Sequence, residues 1–391
     1  MATVSTAASD PDMRRVVTLV EELLREFPPA TTDTTEFLKA QFDRGLAWVQ
    51  FPAGRGGLGL PRNLQVTVQE LLSAAGAPTM DHYLGNALGV GMIAPALVRH
   101  GRPDQWDAYL RPMFCGEEIW CQLFSEPAAG SDLSALRTRA VLDGDDWVIN
   151  GQKIWTTAAH RAGRGLLMAR TGDLESRHRG LAAFVVDMRD PRVDVRPLRQ
   201  IDGSAHLNEV YFDDLRVPAA DLIGAPDEGW QVAITIMMNE RVSIGGGSAG
   251  EGSQALAEVV EVWRRREDRD PVMRDRLVQL AIKTRAADLL NRKAARDLAV
   301  DNPGPEGSLA KLIYSQLKQG VYEFGMDALD SEALLFGSYA FHHPEDHVPD
   351  GFEIQRHYLF ARGDSIGGGT SEVMRNVIGE RVLGLPKEPR P

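Results

Sequence analysis

Cysteine is almost missing from this chain, with only Cys115 and Cys121 in 391 residues. Two thiols are too few for a disulfide framework, so buried free thiols and a cytoplasmic setting are expected. Long apolar runs are missing too, and none approaches the roughly 20 residues that span a bilayer. The N-terminal MATVSTAASDPDMRR shows no basic segment leading into an apolar one, so no signal peptide is expected. Positive charge is in deficit, with 43 Lys and Arg against 55 Asp and Glu and a formal charge of −12. That balance argues against nucleic acid or an anionic membrane as the main partner, while leaving room for a local phosphate pocket. What is present is ordinary for a soluble globular chain, 43% hydrophobic and 25% charged. The length suffices for two or three domains.

The hydrophobic period changes twice along the chain. Met13, Val16, Val17, Val20, Leu23, Leu24 and Phe27 repeat at helical spacing until Pro28-Pro29, and Phe37, Leu38 and Phe42 open a second helix. The glycine-rich Gly54–Asn63 stretch lacks the preceding strand and the GK[ST] ending of a phosphate loop, so it reads as a turn. Leu64 to Ala75, Asn86 to His100 and Asp104 to Met113 carry further helical patterns. From about Ile119 the period is that of strands. Leu142–Thr157 holds Asp143-Gly144 and Asn150-Gly151, two strong hairpin signals. Leu166–Ala169, Leu181–Val186, Val193–Leu198 and His206–Pro218 complete an antiparallel β domain of about 100 residues. After Asp227 the helical period returns, with stripes Leu256/Val259/Val260/Trp263, Leu277/Leu280/Ala281/Thr284 and Leu309/Leu312/Ile313/Leu317 suited to a bundle. Near the end, glycine-rich Ile366–Gly369 leads into a helix with Thr370 as a plausible N-cap and Glu372 in its first turn.

The chemistry points to Ile119–Asp132, IWCQLFSEPAAGSD. An apolar strand breaks at Ser125-Glu126-Pro127 into a small-residue loop, where Pro127 ends the backbone ladder. Hydroxyls and free N–H groups at a strand end suit the polar edge of a planar ligand. An ordinary polar turn would look the same.

Five motifs in order resemble the acyl-CoA dehydrogenase family of flavoproteins: RGLAWVQFPAGRGGLGL, LFSEPAAGSD, NGQKIWTT, FDDLRVPAADLIG and IGGGTSEVMRNVIGERVLG. The likeness covers nearly the whole chain. It implies a mainly α fold with a central antiparallel β-barrel-like domain. The implied domains are N-terminal helices over 1–121, a β domain over 122–224 and a four-helix bundle over 225–391. It also implies FAD, held between the β domain and the bundle. By resemblance, Gln122, Phe124 and Ser125 line the flavin, and Trp155, Thr156 and Thr157 pack on it, an indole supplying stacking area and a hydroxyl a donor. Read alone, Trp155 is better explained as a core aromatic on a hairpin, and its place just after Asn150-Gly151, beside Thr156-Thr157, favours flavin contact. Thr370 and Glu372 match cofactor-binding positions, and Ser131 matches a contact to the CoA arm.

Dehydrogenation of a thioester needs a base for the α-proton and donors for the enolate-like oxygen. The base should be a carboxylate whose pKa burial raises. Many relatives place that Glu two residues before the Thr that opens the last helix, where this chain has Gly368. A subset places it on a helix of the C-terminal domain, directly before an Arg. Here Met238-Asn239-Glu240-Arg241 occupies that position, and Ile236, Met237, Ser243 and Ile244, mostly apolar, lie three or four residues from Glu240. A carboxylate among apolar neighbours is either ion-paired or held for proton transfer. Gly at 368 together with Glu at 240 favours catalysis, with Arg241 and Gly368 lining the substrate. The expected partners are an acyl-CoA and an electron-transfer flavoprotein, in a homo- or heterotetramer.

The chain lacks two motifs that many relatives use for a neighbouring subunit's FAD, an Arg-x-x-Phe-Gly segment and a Gln near Leu334–Gly337. Their loss keeps in view a non-catalytic partner subunit that shares cofactor sites, and the shared chemistry leaves open a flavin oxidase acting on an unusual thioester. His342, His343, Glu345, Asp346 and His347 resemble a metal cluster but sit in a Pro-interrupted loop, and no metal is expected. Arg264-Arg265-Arg266 reads as a solvated face.

Overall fold

The computed structural model of the protein describes residues 10–78, 86–299, 306–336 and 352–387, with the side chains of 240–251, 294–299 and 306 outside that set. The helices are α1 (Pro11–Glu26), α2 (Thr34–Asp43), α3 (Leu64–Ala74), α4 (Ala94–His100), α5 (Pro103–Phe114), α6 (Gly229–Arg265), α7 (Pro271–Ala299), α8 (Glu306–Leu329), α9 (Glu353–Phe360) and α10 (Ser371–Val377). The strands are β1 (Trp120–Leu123), β2 (Arg139–Asp143), β3 (Asp146–Thr157), β4 (Arg164–Arg170), β5 (Leu181–Asp187), β6 (Val193–Leu198), β7 (Leu207–Pro218) and β8 (Leu222–Ile223). Residues 1–196 with 208–236 form one compact unit, and 197–207 with 237–391 a second.

In the first unit, capping residues set the helix starts. Asp10 accepts from Asp12 N ahead of Pro11, and Asp33 accepts from Thr35 N and Glu36 N, satisfying donors a helix start leaves open. Val16, Val20 and Leu23 of α1 are buried, as are Leu64, Val68 and Leu72 of α3, and the two helices pack together. The Gly54–Asn63 stretch is the expected turn. Gly57 is required there, because a Cβ would lie 2.1 Å from the Phe51 carbonyl oxygen.

The sheet runs β6-β7-β3-β2-β4-β5-β8, with β1 added alongside β4. Most pairings are antiparallel, but β1 and β2 each meet β4 in parallel, so the sheet is mixed. Leu123, Ile149, Leu167, Phe184, Val210 and Phe212 fill its core. Asp143-Gly144 makes the expected hairpin, closing β2 on β3 with Asp143 opposite Asp146 and Gly144 at φ 65°. Asn150-Gly151 does not turn; it lies inside the continuous strand β3. The pair serves packing instead. A Cβ on Gly151 would lie 2.5 Å from Thr138 Oγ1. Asn150 exchanges hydrogen bonds with Asp214, its Nδ2 donating to Oδ1 at 2.8 Å and its Oδ1 accepting Asp214 N at 2.9 Å.

In the second unit, Ala255, Val259 and Trp263 of α6, Leu277 of α7 and Leu317, Val321 and Phe324 of α8 form one core, joined by Ile354 of α9. Val259, Trp263, Leu277 and Leu317 belong to the stripes the helical period predicts, while Ala255, Val321, Phe324 and Ile354 lie outside them. Of the triple arginine, Arg264 and Arg265 are exposed, while Arg266 donates to the Ala328 carbonyl at 2.6 Å. The histidine-rich stretch from His342 lies outside the described residues. Among those described, no group of His, Cys, Asp and Glu is placed to hold a metal, and no helix is long and apolar enough to cross a membrane.

Candidate active site

Two motifs far apart in sequence are joined where β1 ends. Ile154 N donates to the Ser125 carbonyl at 2.9 Å, and Glu126 and Ala129 exchange backbone bonds at 3.0 and 3.1 Å. Lys153, inward on β3 and 0% exposed, donates Nζ to the Phe124 carbonyl at 3.0 Å and to Glu126 Oε1 at 2.8 Å. Glu126, 8% exposed, also accepts Thr138 N at 2.8 Å and Arg137 N at 2.6 Å. Burial pushes the Glu126 carboxyl up, but the Lys153 charge and these donors outweigh it, so its pKa is lowered. Burial dominates at Lys153, which is pulled down to about 8 against the pull of Glu126. Neither residue figures among the expected site residues. The signal was present, since Lys153 stands on the same strand register as the buried Trp147 and Ile149, where a charge is out of place unless partnered.

Beside this staple, Trp155 is 58% exposed and held at φ 61°, a conformation that is an outlier for a bulky residue. Backbone strain of this kind marks places where a ligand or neighbour dictates geometry. Thr157 is exposed like Trp155. Thr156 points the other way, 1% exposed, with Oγ1 unpartnered among the described residues, so the strand does not present it together with its neighbours. Phe124 is buried and Gln122 half-buried. Ser125 is half-buried, and its N–H and hydroxyl have no partner among the described residues. An outward indole next to a serine with two uncommitted donors fits a flat heteroaromatic ring with an acceptor-rich edge, as a flavin is.

Ser131 is exposed on the following loop, where Asp132 pairs with Arg177 through both carboxylate oxygens at 3.0 and 2.9 Å. Buried Arg170 supports that loop, donating to the carbonyls of Ser134 and Leu136 at 2.7 and 2.9 Å.

In the second unit, Thr370 caps α10, its hydroxyl accepting Val373 N at 3.2 Å. Glu372 is in the first turn, its side chain 78% exposed and 3.6 Å from Arg375. The preceding glycines adopt left-handed backbone, Gly368 at φ 65° and Gly369 at φ 90°. Buried Lys311 donates to the Gly369 carbonyl, and Lys318 pairs with Asp364 at 3.1 Å. Glu240 and Arg241 lie within α6, with side chains outside the described residues.

Comparison with known proteins agrees with this geometry. Residues 14–117 match the N-terminal, 121–215 the middle and 227–383 the C-terminal domain of acyl-CoA dehydrogenases. The chain belongs to the acyl-CoA dehydrogenase family. Acyl-CoA dehydrogenase IpdE1 of Mycobacterium tuberculosis (strain ATCC 25618 / H37Rv) is 38% identical over 347 residues, covering 88% of this chain and 86% of that protein. The human mitochondrial short-chain specific acyl-CoA dehydrogenase is 29% identical over 352 residues, covering 87% and 80%. Among solved structures, the ChsE4-ChsE5 complex from M. tuberculosis is 26% identical, with a TM-score of 0.73 over 97% of this chain and 99% of that one. The family consists of FAD flavoproteins that oxidise CH–CH bonds, and this chain is an oxidoreductase of that class with FAD as its cofactor.

Proposed function

We propose that the protein introduces an α,β double bond into an acyl-CoA thioester, with Glu240 taking the α-proton. When bound, FAD supplies the acceptor for the β-hydride. Ser125, with Gln122 and Phe124, would hold the ring's polar edge, Trp155 and Thr157 its face, and Thr370 and Glu372 the remainder of the cofactor. The observation that carries the choice of base is the backbone at Gly368. Its φ of 65° is one that residues with a Cβ resist, so the loop is built for glycine and against a carboxylate there. The helical repeat carries the face of buried Val232 and Ile236 on to position 240. A base for so weak an acid needs a carboxylate whose proton affinity is raised by desolvation. The Gly368 N–H would donate to the thioester oxygen, and Arg241 and Ser131 would hold the substrate and its CoA arm. Electrons would then leave to an electron-transfer flavoprotein. Buried free Cys115 and Cys121 support a cytoplasmic setting.

A second reading, in which the chain is a cofactor-sharing partner subunit, draws support from two observations. The stretch from Val259 to Leu277 carries no Arg-x-x-Phe-Gly segment, and the similar ChsE4-ChsE5 structure is a complex of two chains. One panel of straight, branched and steroid-side-chain acyl-CoAs tests both. Loss of flavin absorbance with the chain alone supports the first reading and names the acyl class. No response to any thioester unless a sister chain is added supports the second.

A further inference from the structure

The buried ion pair at the end of β1 has no part in the chemistry above, yet it holds both chain neighbours of Ser125, the Phe124 carbonyl and the Glu126 carboxylate. Every carbonyl on the stretch 124–126, and the Glu126 carboxylate, is occupied from within. Lys153 Nζ takes the Phe124 carbonyl at 3.0 Å, and Ile154 N takes that of Ser125 at 2.9 Å. Ala129 N takes the Glu126 carbonyl at 3.0 Å. The Glu126 carboxylate is consumed by Lys153 Nζ, Thr138 N and Arg137 N at 2.8, 2.8 and 2.6 Å. The Ser125 N–H and hydroxyl remain without a partner among the described residues. A carbonyl left outward here would face the oxygen and nitrogen acceptors of the flavin edge and repel them. It would also oppose the negative charge that gathers on that edge when the ring is reduced.

We propose that Lys153 and Glu126 are positioning residues for the flavin, turning the carbonyls of 124–126 and the Glu126 carboxylate inward so that Ser125 meets the ring with its N–H and hydroxyl. The inference rests on FAD being held at Ser125. It goes beyond a stability role, because a buried pair can often be replaced by neutral groups of similar size at little cost to folding.

Three variants separate the two roles: Lys153→Met, Glu126→Gln and the double variant. Each single change strands a buried polar or charged partner, so both singles should unfold more easily. The double variant removes both charges and should regain much of that stability. If the pair positions the flavin, the double variant still binds FAD about tenfold more weakly than wild type, measured by quenching of flavin fluorescence on apoprotein. Its bound flavin should show a shifted visible absorption band and a more negative midpoint potential. A double variant that recovers wild-type affinity, spectrum and potential along with its stability would overturn the proposal. Ser125→Ala serves as the control on the cofactor reading. If it leaves FAD affinity and spectrum untouched, the flavin is not held at Ser125; weakening there with a fully recovered double variant sinks the positioning role alone.

Discussion

Ile154 N lies 2.9 Å from the Ser125 carbonyl, and that bond ties the loop after β1 to the strand that carries Trp155. The next residue along β3 is then held in left-handed backbone with its indole outward. A residue with a Cβ pays about 1–2 kcal/mol for that conformation.

Substitution at Trp155 should therefore move stability and cofactor binding in opposite senses. Apoprotein carrying Trp155→Gly should unfold at higher denaturant than Trp155→Ala, by about 1 kcal/mol. Both should bind FAD more weakly than wild type. Denaturant titration and flavin quenching report the two quantities separately, and equal affinity in all three proteins would remove Trp155 from the cofactor site.

At Gly368 the backbone predicts intolerance of any side chain. Gly368→Ala should cost about 1–2 kcal/mol, read as a lower unfolding midpoint. Gly368→Glu placed in a Glu240→Gln background should restore only a small part of substrate-driven flavin reduction, because the carboxyl would arrive on a strained loop. Full restoration would show that the loop accommodates a base after all.

The Lys153–Glu126 pair makes stability depend on acid. The folded-state pKa of Glu126 lies below its ordinary 4.5, so its contribution is present above that pH and is lost as pH falls through the folded value. Glu126→Gln should cost about 3–5 kcal/mol at neutral pH, and the gap to wild type should close below about pH 4.5. Denaturant unfolding followed from pH 7 downward measures the gap; a gap that stays constant into acid would mean the carboxylate is not stabilised by its partners.

Much of this arrangement was legible in the sequence because it rests on local pattern. The stripe of Val16, Val20 and Leu23 and the core set of Val259, Trp263 and Leu317 follow from helical period, and Asp143-Gly144 from turn chemistry. Asn150-Gly151 misled for a tertiary reason. Its glycine answers the close approach of Thr138 and its asparagine answers Asp214, neither visible locally. The motif groups Thr156 with Trp155 and Thr157, whereas the left-handed backbone at Trp155 breaks the alternation that buries Trp147, Ile149 and Lys153 and turns Thr156 inward instead. Lys153 escaped notice as a site residue because its partner lies 27 residues away, although its place on the inward register of β3 marks it as a buried charge.

The central claim is that position 240 supplies the base, and stopped-flow reduction of the bound flavin by a reactive acyl-CoA tests it most directly. Glu240→Gln should keep its FAD and its yellow colour, and should lose reduction by about 10²-fold or more, within the range general-base catalysis contributes. Undiminished reduction by that variant would contradict the assignment, whatever the fold around it.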